Sequence, residues 1–83
     1  MRLFELPAND EARIVALSGG DEIASYLRAV GISEGVRVRI VRRAPFGGPF
    51  FLRASTGAEV AIDAAIAHDI EVVRMHANDI EAS

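Results

Sequence analysis

The side chains best suited to hold a metal ion or move a proton are two histidines, His68 and His76, and twelve acids, with no cysteine beside them. His68, Asp69, His76 and Asp79 cluster near the C-terminal end as hard or borderline ligands, yet their spacing fits no established zinc or iron pattern. They read as structural or surface residues, and no metal ligand is assigned. Ser18, Ser25, Ser33 and Ser55 would all depend on the same two histidines as a base, and no spacing suggests a nucleophile, base and orienting acid. The acids stand mostly at alternating or turn positions, which suits a solvated face better than an acid-base pair. Gly19-Gly20 ahead of a helix would suit a phosphate cradle, but Asp21 and Glu22 would repel the anion. The chain lacks GxxxxGK[ST] and has no lysine at all, so no nucleotide site and no catalytic or cofactor-binding residue is assigned.

Charge and aromatic placement carry more information. All nine basic residues are arginines. Arg37, Arg39, Arg42, Arg43 and Arg53 fall mid-chain while the acids concentrate toward both ends, which predicts an electrostatically two-sided domain. Arg37 and Arg39 could form a solvated wall, meet an acidic protein surface, or meet nucleic acid. Nucleic acid ranks last, because no stacking aromatic is interleaved on that strand. Phe46 sits in a loop beside Gly47 and Gly48, where it either folds back over the core or stands out as an anchor for a partner. The anchor is favoured, since large aromatics in loops are frequent interface anchors. Arg42, Arg43, Phe46, Gly47 and Gly48 are therefore the candidate partner-binding set.

The elements that must position these residues fit one small domain, because 83 residues cannot hold two independent cores. Hydrophobic residues make up 51% of the chain, enough for one core without disulfides or a thiolate metal site. No run approaches the roughly 20 apolar residues of a membrane span, and Met1 to Asp10 lacks the apolar stretch of a signal peptide. A formal charge of -3 gives no global field to hold nucleic acid or an anionic bilayer. A cytoplasmic location is expected, with no direct membrane insertion.

Glu11 to Leu17 is β-branched and aliphatic and is closed by Ser18-Gly19-Gly20, which predicts a strand. The period then changes: Ile23, Leu27 and Val30 share one helical face, Asp21 and Glu22 suit the first turn, and Gly31 suits a left-handed stop. After Gly35 the alternation of Val36, Val38 and Ile40 with Arg37 and Arg39 predicts a strand with its arginines in water. Ala44 to Pro49 must be a loop, because two prolines bracket a Gly-Gly pair. Phe50 to Ala54 and Glu59 to Ile62 read as a hairpin around Ser55-Thr56-Gly57. Asp63 to Asp69 reads as one helical turn with Asp63 as its N-cap, and Ile70 to Met75 as the last strand. Residues 1–75 form the expected domain and 76–83 a fraying tail. Five short strands in so small a chain need a nearly closed arrangement to hide their edges. With a helix after the first strand and a helical turn before the last, the pattern predicts a mostly β, SH3-like barrel.

The run ARIVALSGGDEIASYLRAVGISEGVRVRIVRRAPFGGPFFLRA resembles the FeoA family, the A-type ferrous iron transport proteins. Its marks are LRAVGISEG, the basic strand after it and the loop RAPFGGP, and Glu59 to Val72 is similar to the end of the same domain. The resemblance implies a non-enzymatic, cytoplasmic accessory protein. It would act by protein-protein contact with a membrane ferrous iron transporter of the FeoB type, which carries a GTPase domain. It implies no cofactor and leaves room for weak self-association. A similar fold is expected in metal-dependent repressors. The alternatives are a stand-alone nucleic-acid-binding barrel and a metal-sensing module.

Overall fold

The computed structural model describes residues 1–75. A 3-10 turn, Leu3–Glu5, leads into β1 (Glu11–Leu17), α1 (Asp21–Ala29), β2 (Arg37–Arg43), β3 (Phe50–Ala54), β4 (Glu59–Ile62), α2 (Ala64–Ala67) and β5 (Ile70–Arg74). The strands form one antiparallel sheet in the order β4-β3-β2-β1-β5. This is the expected mostly β architecture of five short strands, with β4 and β5 left as the two edges.

Alternation dictates which side chains go inside. Ala12 and Ile14 of β1, Val38 and Ile40 of β2, and Leu52 and Ala54 of β3 are all buried, while Arg13, Arg39 and Arg53 between them are exposed. No polar or charged residue joins the buried set among the described residues. The sheet curls around this core because two strands each carry an extra residue. The β1–β5 register shifts between Ile14 and Ala16, and the β2–β3 register shifts between Ile40 and Arg42. Such bulges bend a strand and increase its twist. They also explain two of the exposed large apolar side chains, because Val15 and Val41 are the unpaired residues.

The helix between β1 and β2 buries Ala24 and Leu27, and Leu27 joins the core. It stops as its sequence requires. The Gly31 N–H donates to the Arg28 carbonyl (3.1 Å) and the Ile32 N–H to the Leu27 carbonyl (2.8 Å), with Gly31 at φ +94°. Glycine takes that left-handed position without penalty, and the buried Ile32 and Leu27 complete the stop. Arg28 at the helix end forms a two-pronged ion pair with Glu34, Nε to Oε1 at 3.1 Å and Nη2 to Oε2 at 2.7 Å.

Two details differ from the sequence expectation. Asp63 precedes α2 as expected but makes no side-chain capping hydrogen bond, so the helix starts on its backbone alone. The 3-10 turn near the N-terminus was not anticipated, yet Leu3 and Leu6 are among the fully buried side chains and complete the core. The expected tail, 76–83, lies outside the described residues.

Two outcomes are expected. Leu52→Ala should cost about 2–5 kcal/mol in chemical denaturation, because Leu52 is fully buried in the core. The Arg28 guanidinium, chiefly by hydrogen bonding, holds the Glu34 carboxyl down at about 2. A lowered carboxyl contributes stability above its ordinary titration range and loses it as the pH falls toward about 2. Side-chain exposures of 50% and 42% mean that water screens the pair, so its contribution to stability is small. The measurable signature is the carboxyl's own titration by carbon NMR, which should return to the ordinary range in Arg28→Gln.

Candidate functional site

The β2–β3 connection gathers the candidate residues. The Ala44 N–H donates to the Pro49 carbonyl (2.9 Å), closing the loop, and the Gly48 N–H donates to the Pro45 carbonyl (3.2 Å), forming a tight turn inside it. The turn's two central residues, Phe46 and Gly47, both have positive φ, +60° and +74°. Positive φ at both centres is the requirement of a primed hairpin turn, usually met by Asn-Gly or Gly-Gly. Here the first centre is a phenylalanine, and a bulky side chain in the left-handed region costs about 1–2 kcal/mol. No packing offsets that cost, because Phe46 is fully exposed. Of the two readings for Phe46, the structure excludes the core cap.

Gly48 is needed for a different reason. A Cβ there would meet the Ala44 Cβ at 2.7 Å and the Pro45 carbonyl oxygen at 3.2 Å. The loop closes this tightly only because that atom is missing.

At the base of the loop the two arginines part company. The extra residue at Val41 sets Arg42 opposite Phe51 and Arg43 opposite Phe50. Phe50 is buried and Phe51 half-buried, on opposite faces of β3. The Arg42 guanidinium lies 4.5 Å from the centroid of the Phe51 ring, and that of Arg43 lies 4.8 Å from the centroid of the Phe50 ring. Each contact is worth about 0.5–1 kcal/mol at an exposed site. Among the described residues neither arginine has an acidic partner, whereas Arg28, Arg39, Arg53 and Arg74 all do. The structure thus brings Arg42, Arg43, Phe46, Gly47 and Gly48 together at one end of the sheet. The stacked Phe51, missing from the sequence-based set, belongs with them.

Arg37 and Arg39 lie on the solvent face of the sheet. There Glu11, Arg39, Arg53 and Glu59 form one row across β1 to β4, with Arg39 paired to Glu11 (3.1 Å) and Arg53 to Glu59 (2.6 Å). Most of that row's charge is internally compensated. His68 stacks on Phe4 with ring centroids 3.8 Å apart, and Arg2 bridges Ser18 Oγ and the His68 carbonyl at 3.1 Å each. Among the described residues no group of three or more His, Asp or Glu is placed to hold a metal ion. His76 and Asp79 lie outside the described residues.

The FeoA domain model matches residues 1–74. The chain belongs to the FeoA family. Solved structures agree with that assignment. Iron(II) transport protein A from Clostridium thermocellum is 28% identical, with a TM-score of 0.83 over 90% of this chain and 46% of its own. The zinc complex of Stenotrophomonas maltophilia FeoA, described as an SH3 domain protein, is 28% identical, with a TM-score of 0.74 over 88% of this chain and 89% of its own. The expected likeness to metal-dependent repressors is present too. A manganese-dependent transcriptional repressor in complex with manganese is 26% identical, with a TM-score of 0.82 over 90% of this chain but 36% of its own. No curated protein matches the chain. The fold is SH3-like, and no helix among the described residues is long and apolar enough to cross a membrane.

The loop geometry yields its own test. Gly48→Ala should destabilise the domain by about 1–3 kcal/mol through overpacking against Ala44, read as a lower denaturant midpoint. Gly47→Ala should also destabilise, by strain at φ +74° rather than by contact, since nothing lies within 4 Å of its Cβ position.

Proposed function

We propose that this FeoA protein is a cytoplasmic accessory factor of ferrous iron uptake. In this reading it works by docking the β2–β3 loop against the cytoplasmic, GTPase-bearing part of a FeoB-type membrane transporter. The observation that carries the reading is Phe46: a large aromatic held in a costly left-handed conformation, fully exposed, with nothing in its own domain to reward it. Backbone strain that persists without an internal benefit points to a function for the strained residue. The loop backbone that carries Phe46 is closed by its own hydrogen bonds and has little freedom left to lose on binding, which suits an interface anchor.

Arg42 and Arg43 give the loop its polarity. Stacked on Phe51 and Phe50, they are held in place rather than free to sweep solvent, and their guanidinium edges remain available for carboxylates. A partner surface complementary to this end would offer an apolar pocket for Phe46 with acids on its rim. Iron itself is the transporter's cargo, and no residue of the loop is assigned to hold it.

Phe46→Ala should leave folding stability within about 0.5 kcal/mol while weakening binding to the transporter's cytoplasmic domain by about 2 kcal/mol or more. Calorimetric titration beside a denaturation curve measures both, and unchanged binding by the folded variant would remove the loop from the interface. Exchanging Arg42 and Arg43 for glutamine should mainly slow association and flatten its salt dependence.

A further inference from the structure

We propose that the open edge of the sheet, strand β4, is a docking site for an extended segment of a partner protein. The segment would carry a basic-x-apolar-x-basic pattern and pair with β4 as an additional strand. This proposal stands apart from the β2–β3 loop reading and rests on different atoms.

The two edges of the sheet are not equivalent. At the middle of β5 the outer backbone groups are already used: the Val72 N–H donates to the Met1 carbonyl (2.8 Å), the Met1 amine donates to the Val72 carbonyl (3.1 Å), and Arg2 forms a β-bridge with Glu71. Along β4 they are not. The Ala54 N–H donates to the Ala58 carbonyl (2.8 Å), and antiparallel ladders alternate, so the Leu52–Val60 and Phe50–Ile62 pairs carry the β3–β4 bonds. The N–H and C=O groups of Glu59 and Ala61 therefore face the open side, where no backbone group among the described residues meets them. A row of unpaired backbone groups is a template for another strand. β4 contains no proline, lysine or bulge, so only its short length and its acids blunt this edge.

Side chains set the chemistry of the occupant. A groove of about 400 Å³ runs beside the edge, lined by Val41, Phe51, Arg53, Glu59, Val60 and Ala61. Val41 is exposed because of the bulge in β2, and it gives the groove an apolar wall with the half-buried Phe51. An apolar side chain from an added strand, opposite Ala61, would fill it. At either end stand acids. Glu59 is exposed, with Oε1 engaged by Arg53 and Oε2 left over, and Asp63 is exposed in extended backbone at ψ 146° that continues the alternation. Residues 59, 61 and 63 thus present acid, alanine and acid along one face. Basic residues two positions to either side of the apolar one would meet both acids, and cross-strand opposite charges stabilise such a pairing. A second copy of β4 suits the edge poorly, because antiparallel pairing centred on Ala61 sets Glu59 against Asp63 at both ends.

The test uses the full chain labelled with nitrogen-15 and the synthetic peptide Ac-Ser-Lys-Thr-Val-Thr-Lys-Ser-NH2, with a Glu-for-Lys version as control. The expected result is saturable shifts centred on the amides of Glu59 and Ala61, slower hydrogen exchange at those two amides, and at least tenfold weaker binding of the control peptide. Ala61→Pro removes one outward N–H while leaving the Val60 and Ile62 ladder bonds in place, and edge strands tolerate proline there. It should weaken binding at least tenfold. If that variant does not fold, Glu59→Lys should weaken binding several-fold on its own. The proposal is overturned by no saturable shift up to about 5 mM peptide. It is equally overturned by shifts confined to Arg13 and Arg37, or by protection of Glu59 and Ala61 that grows with protein concentration in the absence of peptide.

Discussion

At Val41 the β2–β3 ladder takes a residue on one strand that has no counterpart on the other, and the geometry of the loop end depends on that insertion. Because side chains alternate with a period of two, one extra residue inverts the faces of everything after it. Without it, Val41 would oppose Phe51 and Arg42 would oppose Phe50. With it, Arg42 crosses to the outer ring and Arg43 to the inner one, so two consecutive arginines each cover a phenylalanine on opposite faces of the hairpin. The displaced valine becomes part of the groove beside β4. The placement of the arginines and the exposed apolar wall thus share one physical origin.

The sheet has two edges, and the chain treats them differently. A five-stranded sheet whose edge strands, β4 and β5, do not pair with each other must protect or use each free edge. The first residues of the chain lie along β5 and bond to it, and the buried Leu3 and Leu6 hold that segment down. At the other edge, β4 is defended only by its length of four residues and by acids. Charge of one sign on a short edge discourages pairing with an identical edge while leaving it able to pair with a basic one. The net charge of -3 acts in the same direction against self-association through this strand.

Much of this fold was legible in the sequence where turn formers frame an alternating run. The bounds of β1, β3 and β4 follow from Ser18-Gly19-Gly20, from the prolines around Gly47-Gly48 and from Ser55-Thr56-Gly57, and the helix stop from Gly31 alone. The exposed Phe46 was legible for a similar reason, since prolines and glycines leave an aromatic between them little to pack against. What stayed hidden depends on partners distant in sequence. A bulge is defined by the opposing strand, so neither Val15 nor Val41 marks itself, and the pairing of Arg42 with Phe51 follows only once the bulge is known. The 3-10 turn was missed because Leu3 and Leu6 are three apart in a segment too short to show a period. Asp63 has the residue type of a cap, but type does not ensure the bond.

The loop and the edge both lie at the periphery of a core that contains no polar group among the described residues. Such a core gains stability from burial alone and imposes little on the side chains outside it. That freedom lets the domain carry a strained phenylalanine at one end and an unpaired strand at one side, each a modest cost against the total. The two features also adjoin, because Ile62 at the end of β4 is the register partner of Phe50 at the end of the loop. A partner protein reaching one has a short path to the other. An aromatic anchor fixes position but little orientation, whereas a strand added along β4 would fix direction as well, since backbone pairing admits only two senses. A small domain can gain specificity from two such contacts at a defined angle more readily than from either one enlarged.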